Sequence, residues 1–480
     1  MIKMLIKKLI GTAFTCYTFN ASAVHINPQG ISDVSLVPYY TVNNNLNTLV
    51  TVTNTRNTAK AVKINFREGL NGYAVLSYNV YLDSFDTWSF ALVETQSTVS
   101  GYAGQNSVRH VTSDTSCAPF LLKSGQEFLP FEFIDGPNDL SRAREGFIEV
   151  IEMGELTGEV AGFVSQFNAG VPADCGRIIE AWTLDGIWDE PSGGDVESDV
   201  TEVTGGLMVN ADIINVAEGI NFSVPVVALD GFFAEGTIAH TSPGDTNLSL
   251  DAAEPKATVV TREKVYELDL DSGIDAVSAV LMADELIAAY ALDTVVVGKS
   301  ETVFVQPTRR FYFDSETLVS SPPYGDDIDV GLCSDSTYGG SEVDVSIFDR
   351  EAQIENSDVA AGPIPVGFPT PAICGSVFAY QLVLPGQDGS DGSITGSSNT
   401  QLFTSPTTAV TESGFHRIDF LATRSLSGTD ANTNTNVEIM GLPVIGVTFQ
   451  QFTNAAAGQG LLAQYGGTQK VKSTVSVIEQ

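Results

Sequence analysis

The chain has 480 residues, with 59 acidic against 23 basic side chains and a formal net charge of −36. A surface this negative repels phosphate backbones and anionic headgroups, which excludes nucleic acid and direct membrane insertion or attachment from the expected partners. A chain of this length buries a large core unaided, as two or about three domains.

Met1–Ala23 has the order of a cleavable signal peptide. Lys3, Lys7 and Lys8 come first, Leu9–Phe19 is a short apolar middle, and Ala21-Ser22-Ala23 is a small-residue cleavage site. The middle falls short of the roughly 20 residues that span a bilayer. Ala13-Phe14-Thr15, ahead of Cys16, lacks the pattern of a lipoprotein. Cleavage removes three lysines and Cys16, taking the formal charge from −36 to −39 and leaving Cys117, Cys175, Cys333 and Cys374. An even set in an exported chain predicts two disulfides. Three pairings are possible, and Cys117–Cys175 with Cys333–Cys374 is expected, because one pair falls in each half. The contexts Pro172-Ala173-Asp174-Cys175-Gly176 and Pro371-Ala372-Ile373-Cys374-Gly375 also echo each other. A zinc site would need closer cysteines.

Past Ala23, short runs of period two alternate with clusters of Asn, Asp, Gly, Ser and Pro, the pattern of strands and turns. Thr48–Thr53, the turn Asn54–Asn57 and Ala61–Phe66 predict a hairpin, continued by Tyr78–Leu82 and Gly146–Ile151. After an acidic, Gly-rich break at Glu190–Asp199, strands resume at Gly206–Asn215 and Ile220–Leu229, and Ala239–Pro255 reads as a long loop. A second block contains Thr302–Val305, Arg310–Phe313, Val377–Leu384, Phe415–Thr423 and Val471–Ile478. Ser272–Leu292 departs from this pattern. Ser272 and Asp275 are spaced as a capping box, and Ala, Leu, Met and Glu follow, which predicts one helix near 275–291. The expected fold is mainly β: two antiparallel β-sandwich domains of immunoglobulin-like type, 24–200 and 201–480, the second carrying the long loop and the helix.

Candidate chemistry is thin. The histidines past the signal peptide are His25, His110, His240 and His416, and no His-Glu-x-x-His or Gly-x-Ser-x-Gly motif occurs. Gly298-Lys299-Ser300 resembles the end of a phosphate loop, but Asp293 stands where its first glycine belongs. His416 alternates with Ile418 and Phe420 as on a strand, which fits a packed side chain better than a catalytic triad. Glu149 and Glu152 could pair as glycosidase acids, and Trp88, Trp182 and Trp188 could stack on sugars, but each type also serves as ordinary β-sheet structure. Calcium is the most reasonable ion, with oxygen ligands at Asp269 and Asp271 and at Asp430, Asn432 and Asn434. Both loops lack the terminal Glu of an EF-hand, and no other cofactor is expected.

Several segments together resemble a group of uncharacterised exported proteobacterial proteins of mostly β structure. They are Leu36–Val42, Leu49–Asn54, Phe66–Gly69, Leu82–Trp88, Arg144–Gly154, Gln306–Tyr312 and Leu461–Gly467. The resemblance implies export and carries no activity and no site residues. The expected function is that of an exported, non-enzymatic structural or adhesive protein of the cell surface or exterior, with the periplasm as another destination. The alternatives are a glycan- or calcium-binding secreted module and a secreted hydrolase. Partners would be other surface proteins or further copies of the chain, added at strand edges in Ile31–Val42 or Val471–Ile478.

Overall fold

The computed structural model describes residues 23–480 except 136–138, 167–169, 315, 318, 325–339, 352–353, 357–370, 385–392, 405–410, 421–423 and 459–460. The chain is mainly β and its sheets are built from antiparallel neighbours, with one parallel pair noted below.

The first body contains β1 (Val34–Thr41), β2 (Asn47–Asn54), β3 (Lys60–Glu68), β4 (Ala74–Leu82), β5 (Thr87–Gln96), β6 (Asn106–Val111) and β7 (Glu145–Leu156). Two short helices follow, α1 (Gly158–Val164) and α2 (Cys175–Ala181), then β8 (Leu207–Asn215), β9 (Ile220–Val224) and β10 (Val227–Asp230). One sheet runs β10-β1-β7-β3-β4 and the other β9-β8-β2-β5-β6, with two-residue strands at their rims. Ile64, Phe66, Tyr78 and Ile148 of the first face Val52, Trp88, Phe90 and Ile213 of the second across one core. On β2 and β5 burial alternates residue by residue, as expected of strands with one wet face.

The expected division at 200/201 does not hold. β8 pairs with β2 from Leu207↔Asn54 to Ile214↔Asn47, and β10 pairs with β1 at Val227↔Leu36. The turns of Glu190–Asp199 are therefore an excursion, after which the chain returns to cover edges of β1 and β2 that would otherwise be bare.

The second body contains β11 (Lys256–Val260), β12 (Val265–Asp269), α3 (Gly273–Leu281), β13 (Glu285–Asp293), β14 (Lys299–Val305) and β15 (Gly340–Asp349). It continues with β16 (Val377–Val383), β17 (Thr400–Thr404), β18 (Thr411–Phe420), β19 (Ser425–Asp430) and β20 (Thr435–Met440). The chain ends in β21 (Ile445–Gly458), β22 (Leu461–Lys470), β23 (Lys472–Thr474) and β24 (Val477–Glu479). Among the described residues its three larger sheets contain β15-β18-β13-β23, β17-β16-β14-β21-β22 and β11-β12-β19-β20-β24, and β16 pairs with β17 in parallel. The middle sheet joins the two bodies: Val303, Val305, Val377, Val447 and Phe449 belong to the core of the first body. Phe449 meets the rings of Tyr39 and Phe222 at 5.9 and 5.5 Å.

The helix expected near 275–291 is half as long. Ser272 caps α3, its hydroxyl accepting from the Asp275 N–H at 3.3 Å, but the helix stops at Leu281 and Glu285–Asp293 is the strand β13. Leu286, Ala288, Tyr290 and Leu292 point inward with period two, and nine register pairs with β18 outweigh the helix propensity of Ala, Leu and Glu. The short helices α1 and α2 were not expected from the sequence.

The first sheet is buried on both faces. Its polar face lies under the segment Ala239–Pro255, which has one turn of 3-10 helix at Leu250–Ala252 and is otherwise irregular. Lys63 Nζ donates to the carbonyls of Ser242 (2.8 Å) and Asp245 (3.0 Å), Asn65 Nδ2 to Leu248 (2.9 Å) and Asn79 Nδ2 to Thr241 (2.8 Å). Side chains of the sheet thus satisfy backbone acceptors that a buried loop would leave unpaired.

Candidate functional site

Cys117 and Cys175 form the expected disulfide, tying β4's neighbourhood to the start of α2. Cys374 is disulfide-bonded too, but Cys333 lies outside the described residues.

The two candidate calcium loops are brought onto neighbouring strands, since Leu268 pairs with Asp430 and Asp269 with Thr429. Their acids do not converge. Asp269 is exposed, whereas Asp430 is buried, accepts from the Asn432 N–H (2.9 Å) and is paired with Lys264 Nζ (3.0 Å). Asn434 closes the turn at φ 55°. Among the described residues no group of three or more His, Cys, Asp or Glu side chains could hold a metal ion.

Three of the four histidines are packed into cores. His110 lies against Phe90 and bonds the Tyr78 hydroxyl at 3.0 Å, and His240 bonds Tyr81 at 2.9 Å. His416 is fully buried, and among the described residues neither ring nitrogen has a hydrogen-bond partner. Burial pushes His110 down to about 3 and His240 and His416 down to about 4, so all three are neutral at pH 7. The tryptophans are anchors: Trp88 and Trp188 are buried, and Trp88 and Trp182 donate to Tyr78 and Tyr81. Glu149 points into the polar face of the first sheet, where it accepts from Asn65 Nδ2, whereas Glu152, paired with Val62, points to the other face. Burial opposes the charge of Glu149, but Arg67 and Arg310 outweigh it and hold the carboxyl below its usual range. Glu152 sits 2.6 Å from Lys60 Nζ, and there burial wins and raises it.

Of the two terminal stretches expected to accept another chain, Ile31–Val42 contains β1, an interior strand, whereas Val471–Ile478 supplies β23 and the start of β24, which pair with β13 and β20 and end their sheets.

A different edge is open. From Ile439 to Gln469 the chain has 31 residues without Asp, Glu, Lys, Arg or His, its longest uncharged run. The first part, Ile445–Phe449, is buried and pairs with β14 as far as Gln451↔Lys299. Beyond Gln451, β21 pairs among the described residues with β22 only, so the two arms run out past the sheet. Thr453 N bonds the Val296 carbonyl at 2.7 Å, Gln451 bonds Glu218 at 3.2 Å, and the Thr468 hydroxyl bonds the Ser223 carbonyl, bracing the root of the hairpin. Leu461 (69 %), Leu462 and Tyr465 (62 %) are exposed, and the turns at the root add exposed Val216, Val295 and Val297. β22 is the last strand of its sheet. Such an edge offers backbone hydrogen bonds and apolar contact without the charges that ordinarily guard one. Its sequence signal, an uncharged run in so acidic a chain, is legible in the composition, but only the fold turns it outward.

No family model, curated protein or solved structure matches the chain. Among the described residues no helix is long and apolar enough to cross a membrane.

Proposed function

We propose that this is an exported, non-enzymatic structural or adhesive protein of the cell surface or exterior, related to the exported proteobacterial group that its sequence resembles, and that it docks through the neutral hairpin β21–β22. The projecting uncharged edge with its exposed Leu461, Leu462 and Tyr465 carries the reading. The Cys117–Cys175 bond supports it, because disulfides persist in oxidising compartments. Three histidines committed to cores as neutral groups support a non-catalytic role. In this reading the signal peptide ends at Ala23, and Val24, whose N–H already donates to the Lys256 carbonyl at 2.8 Å, keeps that bond as the mature terminus.

The test is fractionation of native cells expressing the wild type or the double variant Leu461→Asp, Tyr465→Asp. The wild type should appear in the surface or exterior fraction, with an intact mass beginning at Val24, and the variant should be exported yet shed from its assembly. Recovery from the cytoplasm with Met1 retained, or a variant that behaves as the wild type does, overturns the proposal.

A further inference from the structure

We infer that the partner at this edge is a second copy of the chain, joined β22 to β22, antiparallel, about a twofold axis through Ala463. This rests on the docking role proposed above and gives it an occupant and a register.

The register follows from hydrogen-bond parity. Opposed residues of antiparallel strands alternate between exchanging both backbone bonds and exchanging neither. The Val471 N–H donates to the Gly446 carbonyl at 3.0 Å, so that pair is a bonded one. Counting back by twos along the register, Gln469↔Thr448, Gly467↔Gln450, Tyr465↔Phe452 and Ala463↔Asn454 are bonded pairs as well. The odd-numbered residues of β22 therefore turn their N–H and C=O groups toward β21, and the even-numbered ones turn theirs outward. The bulge beyond Asn454 lies on β21 and leaves this count intact.

At Gly466 and Thr468 the strand β9 lies against one face of β22: a Cβ on Gly466 would stand 3.0 Å from the Asn221 carbonyl, and the Thr468 hydroxyl bonds that of Ser223. Along the outward row Leu462 and Gln464 have no strand beside them among the described residues. If Leu462 of one copy faces Gln464 of the other, the same contact recurs with the copies exchanged, and Ala463 faces its own counterpart at a non-bonded position. Setting Gln464 opposite itself would instead place Leu462 against Gly466 and Leu461 against Gly467, which have no side chains to cover them. The selected register also places Leu461 of each copy opposite Tyr465 of the other, so that the exposed apolar side chains bury one another.

Charge favours a copy over an unlike partner. Two exported chains, each taken from −36 to a formal charge of −39 by the loss of Lys3, Lys7 and Lys8, repel wherever their acids meet, and this edge, neutral from Ile439 to Gln469, is complementary to itself. The residual long-range repulsion is screened by salt, so association should tighten as ionic strength rises.

The experiment combines light-scattering mass with cysteine cross-linking of the full exported chain. The mass should move from one chain toward two between about 0.05 and about 0.5 M salt, where the Debye length falls below about 10 Å. Ala463→Cys should give a disulfide-linked dimer on mild oxidation, since facing Cα atoms at a non-bonded position lie about 4.5 Å apart. Leu462→Cys, opposite Gln464, should cross-link at least tenfold less. Gln464→Glu, which adds a carboxylate on each side of the seam, should weaken the dimer at least tenfold at low salt. A single-chain mass at every salt concentration, or equal cross-linking at 462 and 463, overturns the self-pairing. If the double variant of Leu461 and Tyr465 is nevertheless shed from cells, docking through the hairpin stands and the copy as partner falls.

Discussion

Replacing His416 with leucine should make the protein more resistant to acid by an amount the structure sets. The imidazole is fully buried on β18, and its nearest aromatic neighbour is the Tyr380 ring at 6.5 Å. Burial lowers its proton affinity from an ordinary 6.5 to about 4. A base whose folded pKa is depressed binds more protons when unfolded, so stability is present at neutral pH and is lost as pH falls from about 6.5 toward 4. Between about pH 7.5 and about pH 4.5 that linkage amounts to about 2.5 kcal/mol, which His416→Leu should recover. At neutral pH the variant should also gain about 1 kcal/mol, because two unbonded buried nitrogens are removed. The assay is the urea midpoint of both proteins at each pH. His110 and His240 titrate in the same direction and Asp33 in the opposite one, so the difference between the two proteins is the quantity to read. Parallel loss of stability by the wild type and the variant across this range refutes the reasoning.

Cys117→Ser opens a loop of sequence separation 58 and should lower stability by about 4 kcal/mol in non-reducing denaturation. Asp33 is raised to about 7 by burial and then by Asp230, so its stabilising contribution is complete below about pH 3.8 and is lost as pH rises through 7. Asp33→Asn should therefore gain about 2.5 kcal/mol relative to the wild type on moving from about pH 5 to about pH 8, read from melting midpoints. Gly146→Ala would set a Cβ 1.9 Å from the Arg67 carbonyl and 2.8 Å from Tyr40, and should cost about 4 kcal/mol in urea or abolish soluble protein.

Much of the fold was legible in the sequence. Thr48–Thr53 and Ala61–Phe66 fall within β2 and β3, and Ser272 caps a helix, because period and capping chemistry act locally. Those two strands are not each other's hairpin, however: β2 pairs with β5 and β8, and β3 with β4 and β7 in the facing sheet. The misses share one cause, since partners distant in the chain decided the outcome. Glu285–Asp293 has helical composition and becomes a strand because β18 lies beside it, and Leu207–Asn215 returns across the expected boundary because β2 needs a neighbour. The polar residues that alternate along β3 lie beneath Ala239–Pro255, a cover that the alternation itself does not announce. At the candidate site the composition of β22 was visible, whereas the parity of its hydrogen bonds depends on a register that no local pattern encodes.

That covering segment leads to a view of how the chain tolerates change. Lys63, Asn65, Arg67 and Asn79 hold it by its carbonyls at Ser242, Asp245, Leu248, Thr246 and Thr241, and leave most of its side chains unread. Drift among homologous chains should therefore be lopsided here, with the identity of the outward residues Ser242, Gly244 and Asn247 wandering while the length of 241–248 stays constant and the four side chains beneath hardly vary. A deletion of one residue would slide every carbonyl out of step with its donor and strand a lysine and an arginine in a dry interior, where a point substitution on the loop's outer side would pass unnoticed.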